Sequence, residues 1–205
     1  MINRNRKNNF SLIELISVLA ITGIFLGLAL PSMDTILRGQ STEQAAINFS
    51  SVLNAVRSYA ISNRKYVALI IPSKDSNLPD EYKNSYENKS YRPCVVDRSM
   101  NFMYWVRDNK WEFLPTSSAI IDIDNNTKYD LGSFTEATSI VDVNFNNDPY
   151  SLKGIVFKPC GLSLNQDDTF VVIGNINILD GKAVAHNQID IKIDQYSGRI
   201  SYGNN

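Results

Sequence analysis

Residues 10–15, Phe10-Ser11-Leu12-Ile13-Glu14-Leu15, begin an apolar run that continues to Leu30. As an α-helix, a run of about 21 residues is long enough to cross a hydrocarbon core of about 30 Å. The run is interrupted by only one charged side chain, that of Glu14. The sequence therefore predicts an N-terminal helix whose surroundings are apolar and which carries a carboxylate near its start.

The residues ahead of this run, 1–9, are polar and contain Arg4, Arg6 and Lys7. Basic residues on one side of an apolar helix favour the cytoplasmic side, so we expect the rest of the chain to be translocated. Over the whole chain, 20 basic and 21 acidic residues give a formal net charge of −1. This balance argues against a dedicated nucleic-acid-binding protein, which needs an excess of basic residues.

Two simpler interpretations of the N-terminus remain open at this stage. In a secretory signal peptide the apolar region usually has about 7–15 residues, and Leu28-Ala29-Leu30-Pro31-Ser32 is a poor cleavage site. A simple membrane anchor does not require Glu14, because inserting a carboxylate at the bilayer centre costs about 2.5–3.5 kcal/mol of free energy. The carboxylate is understandable if a cation, such as a free α-amine, lies beside it.

With its short basic leader, the motif from Phe10 to Leu15 resembles the processing site of type IV pilins and type II secretion pseudopilins. In that family a prepilin peptidase cuts before the Phe and methylates the new amine, which attracts a Glu of a neighbouring subunit. The resemblance implies cleavage between Asn9 and Phe10, N-methylation of Phe10, and a role for Glu14 as the assembly carboxylate. The family prefers Gly before the cut, where this sequence has Asn9.

After Pro31 the apolar residues recur at helical spacing instead of filling every position. The residues that form this stripe are Phe49, Val52, Leu53, Val56, Tyr59 and Ala60. The pattern predicts that the helix continues to about Asn63 and presents one apolar face to a domain. Arg57 and Arg64 suit the negative end of such a helix.

The rest of the chain predicts an antiparallel β head, and the fold class is therefore α+β, with a pilin-like long helix packed on that head. The predicted strands are Tyr66–Ile71, Cys94–Asp97, Phe102–Arg107, Trp111–Leu114, Ala119–Ile123, Ser139–Phe145, Gly154–Lys158, Phe170–Asn177, Gln188–Asp194 and Arg199–Ser201. The polar turn Asp108-Asn109-Lys110 predicts a hairpin between the third and fourth of them. Residues 73–92 and 124–137 are predicted to be insertions.

These predictions divide the chain into a leader (1–9), a transmembrane and assembly helix (10–31) and a periplasmic head (32–205). Three segments of the head are similar to minor pseudopilins of the GspH/FimT type. They are Arg57-Ser58-Tyr59-Ala60-Ile61, Val156-Phe157-Lys158-Pro159-Cys160-Gly161 and Ser197-Gly198-Arg199-Ile200. In the second segment we expect a turn that ends a strand, with Gly161 at positive φ.

Cys94 and Cys160 are the only two cysteines, and both follow the apolar helix, on the side that would reach an oxidising compartment. A disulfide between them would close a loop of about 67 residues, worth roughly 4 kcal/mol in a chain-entropy estimate. Two buried free thiols are the alternative. The sequence does not show whether Cys94 and Cys160 are close together, so the disulfide and the two free thiols both remain open.

Other polar groups carry weaker signals. Asp122, Asp124 and Asn126 imitate the start of a calcium loop, but the Gly and Glu that such a loop needs later are missing, so no metal site is predicted. His186 is the only histidine and has no nucleophile motif to accompany it. Three tyrosines and two lysines could stack on nucleic-acid bases, although a solvated insertion explains them more simply: Tyr82, Tyr86, Tyr91, Lys83 and Lys89.

The resemblance implies a non-enzymatic minor pseudopilin or pilin subunit, active in assembly or initiation of a type II secretion pseudopilus or a type IV pilus and in protein secretion. Its implied partners are the prepilin peptidase, other pilin or pseudopilin subunits, the inner-membrane assembly platform and the membrane, and no cofactor is implied. It would span the bacterial inner membrane once, with its head in the periplasm or outside the cell in a filament. The alternative is a FimT-like minor pilin that binds DNA for uptake. The tail after Gly198 has only Arg199 as a basic residue, so nucleic acid is not expected as a partner.

Overall fold

The structure is a computed structural model that describes residues 12–72, 85–106, 110–124, 141–144, 151–164, 168–176 and 188–204. The chain divides into two compact units, Met1–Arg38 and Gly39–Asn205. The predicted leader, with Asn9, and the predicted N-terminus Phe10 lie outside the described residues. So do Tyr82, Lys83, Asn126 and His186.

Helix α1 spans Leu12–Asn63 and ends where the sequence predicts. Arg64 follows in the left-handed region, with φ of 53°. The Arg64 N–H donates to the Ile61 carbonyl at 3.3 Å, and the Lys65 N–H donates to the Ala60 carbonyl at 3.1 Å. These two bonds form a Schellman motif, which satisfies carbonyls that the helix end would otherwise leave unpaired.

No helical segment among the residues that the structure describes combines the length and the apolar character needed to cross a membrane. The predicted span from Phe10 to Leu30 starts at two residues that lie outside this description.

The described chain forms two sheets in which every pairing is antiparallel. The strands are β1 (Tyr66–Ile71), β2 (Ser90–Val96), β3 (Phe102–Trp105), β4 (Glu112–Phe113), β5 (Ser118–Asp124), β6 (Val141–Asn144), β7 (Ser151–Phe157), β8 (Thr169–Asn175), β9 (Ile189–Ile193) and β10 (Ile200–Asn204). The first sheet has the order β3-β2-β1-β7-β6, with β4 also on β2, and the second has the order β10-β9-β8-β5. This α+β architecture confirms the predicted fold class.

The predicted hairpin between the third and fourth strands is wrong. Both β3 and β4 pair with β2, at Cys94–Val96 and at Ser90–Tyr91 respectively, so they follow one another along a single edge. Pro93 lies between these two stretches of β2. Its carbonyl accepts the Val106 N–H at 3.2 Å, but it has no N–H to give to that edge. The ladder on this edge of β2 is therefore interrupted at Pro93, between the residues that pair with β3 and those that pair with β4.

The predicted insertion over 73–92 is too long, because β2 already begins at Ser90. The predicted strand began only at Cys94, whereas β2 includes Ser90 to Pro93 as well. Residues 73–84 of that stretch and 125–140, which include most of the second predicted insertion, lie outside the described residues.

The main core lies between the apolar face of α1 and both sheets. The helix contributes the predicted stripe, with Phe49, Leu53 and Ala60 fully buried, and the stripe extends back to Ala45 and Ala46. Phe49 meets Tyr91 of β2 edge to face, with ring centroids 5.1 Å apart. A second, smaller cluster covers the opposite face of the first sheet, around Ala68, Ile70, Cys94, Val96 and Val156.

Candidate functional site

The N-terminal part of α1, Leu12–Gly27, is here named the apolar segment. Ten of its large apolar side chains are exposed, from 54% for Ile16 to 77% for Leu12. At 100° per residue, these side chains project in every direction around the helix axis rather than along one stripe. A helix that is apolar all round is typical of one whose natural surroundings are lipid or other helices.

The hydroxyl groups of the apolar segment bond within the helix itself. Ser17 Oγ donates to the Ile13 carbonyl at 2.7 Å, and Thr22 Oγ1 lies 2.9 Å from the Val18 carbonyl oxygen. A hydroxyl satisfied in this way can enter an apolar environment without an unpaired donor. Glu14, on the exposed first turn, is the only charged residue in this segment. Among the residues of this segment, Glu14 is thus the one that the sequence predicts as a site residue and that carries a charge.

Gly23 and Gly27 form a Gly-x-x-x-Gly pair that the sequence analysis overlooked, although the spacing is visible in the sequence. A Cβ atom added to either glycine would meet nothing within 4 Å. Small residues at this spacing lie on one helix face and let a second helix backbone approach closely. The apolar segment thus leaves open space at these two positions, about two and a half to three and a half turns after Glu14.

The three head segments that resemble pseudopilins meet at one point, which we name the arginine junction: Arg57, Gly161, Ser197 and Gly198. Arg57 Nε donates to the Gly161 carbonyl at 3.0 Å, and its Nη2 donates to the Ser197 carbonyl at 2.9 Å. Arg57 lies toward the C-terminal end of α1, as the sequence predicts, but its side chain does not bond to the last carbonyls of that helix. Its guanidinium instead joins α1 to the turn after β7 and to the turn between β9 and β10.

Both glycines of the arginine junction have the left-handed conformation. Gly161 has φ of 85°, as the sequence predicted, and its N–H donates to the Lys158 carbonyl at 2.8 Å in the turn that ends β7. Gly198 has φ of 63°, and a Cβ added there would lie 2.0 Å from the Gly161 carbonyl oxygen. Two backbone segments therefore touch at a place where any side chain would separate them.

The two cysteines are free in this structure, so of the two alternatives that the sequence left open, the disulfide between Cys94 and Cys160 is not formed here. Cys94 in β2 is opposite Ala68 in β1, which is opposite Val156 in β7. Two strand spacings of about 4.8 Å separate Cys94 from Val156, and Cys160 lies beyond Val156 in the following turn. A disulfide requires Cα atoms within about 7 Å of each other, so this register keeps the two sulfurs apart. The alternative of two buried thiols holds for Cys94 only, because Cys160 is exposed.

We expect the two thiols to differ sharply in reactivity. Burial raises the pKa of Cys94 to about 12, although the nearby charge of Arg92 acts to lower it. The Cys94 thiol therefore stays protonated near neutral pH. Treating the native full-length chain with a maleimide at about pH 7.5 should label Cys160 alone, and Cys94 should react after denaturation. Mass analysis of proteolytic fragments checks this. Equal labelling of both residues in the native chain would contradict the burial of Cys94.

The remaining candidate residues do not converge on a site. Asp122 and Asp124 lie in β5, paired with Val172 and Phe170 of β8, rather than in a loop. Tyr91 is buried against Phe49, and burial raises the pKa of its hydroxyl, so it is not available for base stacking. Tyr86 packs against Trp111 and Phe113. Within the described ranges, no three His, Cys, Asp or Glu side chains are grouped so that they could hold a metal ion.

No protein-family model and no curated protein sequence matches this chain. Among solved structures it is similar to the type IV minor pilin FimU of Pseudomonas aeruginosa, at 14% identity and a TM-score of 0.49, over 80% of this chain and 90% of FimU. It is also similar to the type II secretion minor pseudopilin EpsH of Vibrio cholerae, at 11% identity and a TM-score of 0.49, over 81% of this chain and 97% of EpsH. At these identities and TM-scores, the similarities carry no conclusion about what this chain does.

Proposed function

We propose that this protein is a non-enzymatic subunit of a helical filament, a minor pilin or pseudopilin whose apolar segment packs against other subunits. The observation that carries the proposal is the exposure of large apolar side chains around the whole of Leu12–Gly27. The unit from Gly39 onward has its own closed core, so this surface is not needed to fold the head.

The energetic argument favours burial of the apolar segment in an assembly. Fully burying one large aliphatic side chain contributes about 1.5–3 kcal/mol, so ten of them contribute on the order of 15 kcal/mol or more. Association costs an estimated 4–15 kcal/mol in lost translational and rotational freedom. Relative to a chain whose apolar segment is exposed to water, helix-on-helix packing can therefore sustain a filament. Before assembly, a bilayer would supply the same apolar surroundings.

The finer parts of the proposal concern location and partners. The basic leader supports an orientation with residues 1–9 in the cytoplasm and the head in the periplasm. A prepilin peptidase would release Phe10 and methylate its amine, and the assembly platform of the inner membrane would deliver the subunit to the filament. Glu14 would then pair with the α-amine of an adjoining subunit. A type II secretion pseudopilus and a type IV pilus require the same chemistry from this segment.

Processing at Phe10 tests the proposal. We expect that the full-length chain, expressed with a prepilin peptidase, matures to a form whose mass and N-terminal sequence correspond to N-methyl-Phe10. The Asn9→Gly variant is the matched control, because it restores the small residue that the family has before the cut. Faster cleavage of this variant would assign any slow processing to Asn9. If both chains keep Met1 as their N-terminus, the proposal fails.

A further inference from the structure

A cleft at the end of α1 is unexplained by filament assembly. It has a volume of about 670 Å³ and is lined by Tyr59, Asn63, Lys65, Tyr104 and Trp105. We name it the edge cleft, because two of these residues belong to β3, an edge strand of the first sheet. The others come from the last turn of α1 and the residues just after it. Three aromatic rings, an amide and an ammonium group therefore converge on one surface depression.

Lys65 supplies the charge of the edge cleft. Its Nζ lies 2.5 Å from Tyr104 Oη and 5.1 Å from the centre of the Tyr104 ring. The hydrogen bond to Tyr104 raises the pKa of Lys65, so the amine is charged at neutral pH. Within the described part of the chain, Lys65 has no carboxylate partner. The phenol thus holds an ammonium group in place without neutralising it.

The other groups in the edge cleft are suited to hydroxyl groups and to a ring. Asn63 Nδ2 donates to the Tyr59 carbonyl at 3.0 Å, which fixes the amide, and its Oδ1 accepts no hydrogen bond from the residues that the structure describes. Trp105 is supported by Arg92, whose guanidinium carbon lies 4.1 Å from the centre of the indole ring. An immobilised indole is a flat apolar surface on which the C–H face of a sugar ring can pack.

We propose that the edge cleft binds an acidic saccharide unit. In this arrangement the sugar ring packs on Trp105, its carboxylate pairs with Lys65, and Asn63 and the phenols bind its hydroxyl groups. Charge-assisted hydrogen bonds of this kind are stronger than neutral ones and fix orientation. Binding sites for small molecules are usually concave and use a few polar groups to determine specificity. The edge cleft is a depression in which such polar groups lie beside aromatic rings.

The balance of charges favours a sugar acid over a nucleic acid. A single-stranded nucleic acid carries one charge per nucleotide, and its binding sites use a basic groove that follows the backbone. The edge cleft has one lysine among its lining residues, together with three aromatic side chains and one amide.

Titration of the full-length chain in detergent micelles with tetragalacturonate tests the inference, with tryptophan fluorescence and calorimetry as readouts. We expect saturable binding that weakens about tenfold in Lys65→Met, because one charge-assisted hydrogen bond is lost. Lys65→Arg should retain most of the affinity, and Lys110→Met should not change it, since Lys110 is exposed and does not line the cleft. The fully methyl-esterified tetrasaccharide should bind as weakly to the unmodified chain as tetragalacturonate binds to Lys65→Met.

Three outcomes would overturn the inference. They are no saturable response at millimolar tetragalacturonate, equal affinity of Lys65→Met and the unmodified chain, and tighter binding of oligo(dT) than of the tetrasaccharide. The last would assign the cleft to single-stranded nucleic acid. Far-ultraviolet circular dichroism of each variant establishes whether the head is folded. If Lys65→Met does not fold, the affinity of Lys65→Arg still tests whether a cation at this position binds the ligand.

Discussion

Substituting Glu14 with alanine should reduce incorporation of the protein into filaments at least tenfold while leaving its head folded and its membrane insertion intact. In the proposed assembly the Glu14 carboxylate pairs with the α-amine of a neighbouring subunit, away from water. At 4 Å and an effective dielectric constant near 20, two unit charges attract by about 4 kcal/mol. Desolvation offsets part of this attraction, but 1.4 kcal/mol already corresponds to a factor of ten.

The measurement is the ratio of subunit in sheared filaments to subunit in membranes, in cells that express the full set of partner subunits. Glu14→Gln tests charge at nearly constant shape and should behave like Glu14→Ala. Glu43→Ala is the matched control, because Glu43 is an exposed carboxylate on the same helix but outside the apolar segment. Normal incorporation of Glu14→Ala would contradict the pairing, whereas a loss in Glu43→Ala as well would indicate a general effect of removing charge from α1.

Local physical chemistry explains how much of the fold could be predicted from sequence. The end of α1 at Asn63 and the strand Tyr66–Ile71 follow from apolar periodicity and β-branched composition, and both agree with the structure. The hairpin prediction failed because a polar turn after Trp105 was taken to reverse the chain. Whether β4 pairs with β3 or with β2 depends on Pro93, which lies at least eight residues away in sequence from either strand. The choice of pairing partner for β4 is a tertiary property, and no local sequence pattern predicts it.

The candidate site residues also differ in how far the sequence could predict them. Glu14 is conspicuous in the sequence because a charge in an apolar run costs free energy wherever it is placed. The two roles of Arg57 could not be predicted, since its partners are backbone carbonyls 104 and 140 residues away. Backbone acceptors have no residue type that a pattern could detect. The sequence left the pairing of Cys94 and Cys160 open for a related reason, because only the sheet register shows that the two residues are separated.

The arginine junction gives the second large effect that we predict. Gly198→Ala should lower the free energy of unfolding of the head by about 3 kcal/mol or more, because two penalties add. Alanine in the left-handed region costs about 1–2 kcal/mol. In addition, its Cβ would lie 2.0 Å from the Gly161 carbonyl oxygen, a backbone atom that no side-chain rotation can move. The turn must shift, and the hydrogen bonds from Arg57 to Gly161 and Ser197 are then strained or lost.

Urea unfolding of the full-length chain in micelles, followed by the fluorescence of Trp105 and Trp111, measures this difference through the transition midpoint. Gly203→Ala is the control, since a Cβ at Gly203 meets nothing within 4 Å and its φ is not left-handed. We expect that variant to remain within about 0.5 kcal/mol of the unmodified chain. Arg57→Met should reproduce most of the loss without adding any backbone strain, because hydrogen bonds from a charged donor contribute about 1.5–3 kcal/mol each. If Gly198→Ala and Gly203→Ala unfold at the same urea concentration, the close approach of the two turns is not a feature of the folded protein, and Arg57 does not hold the helix to both sheets.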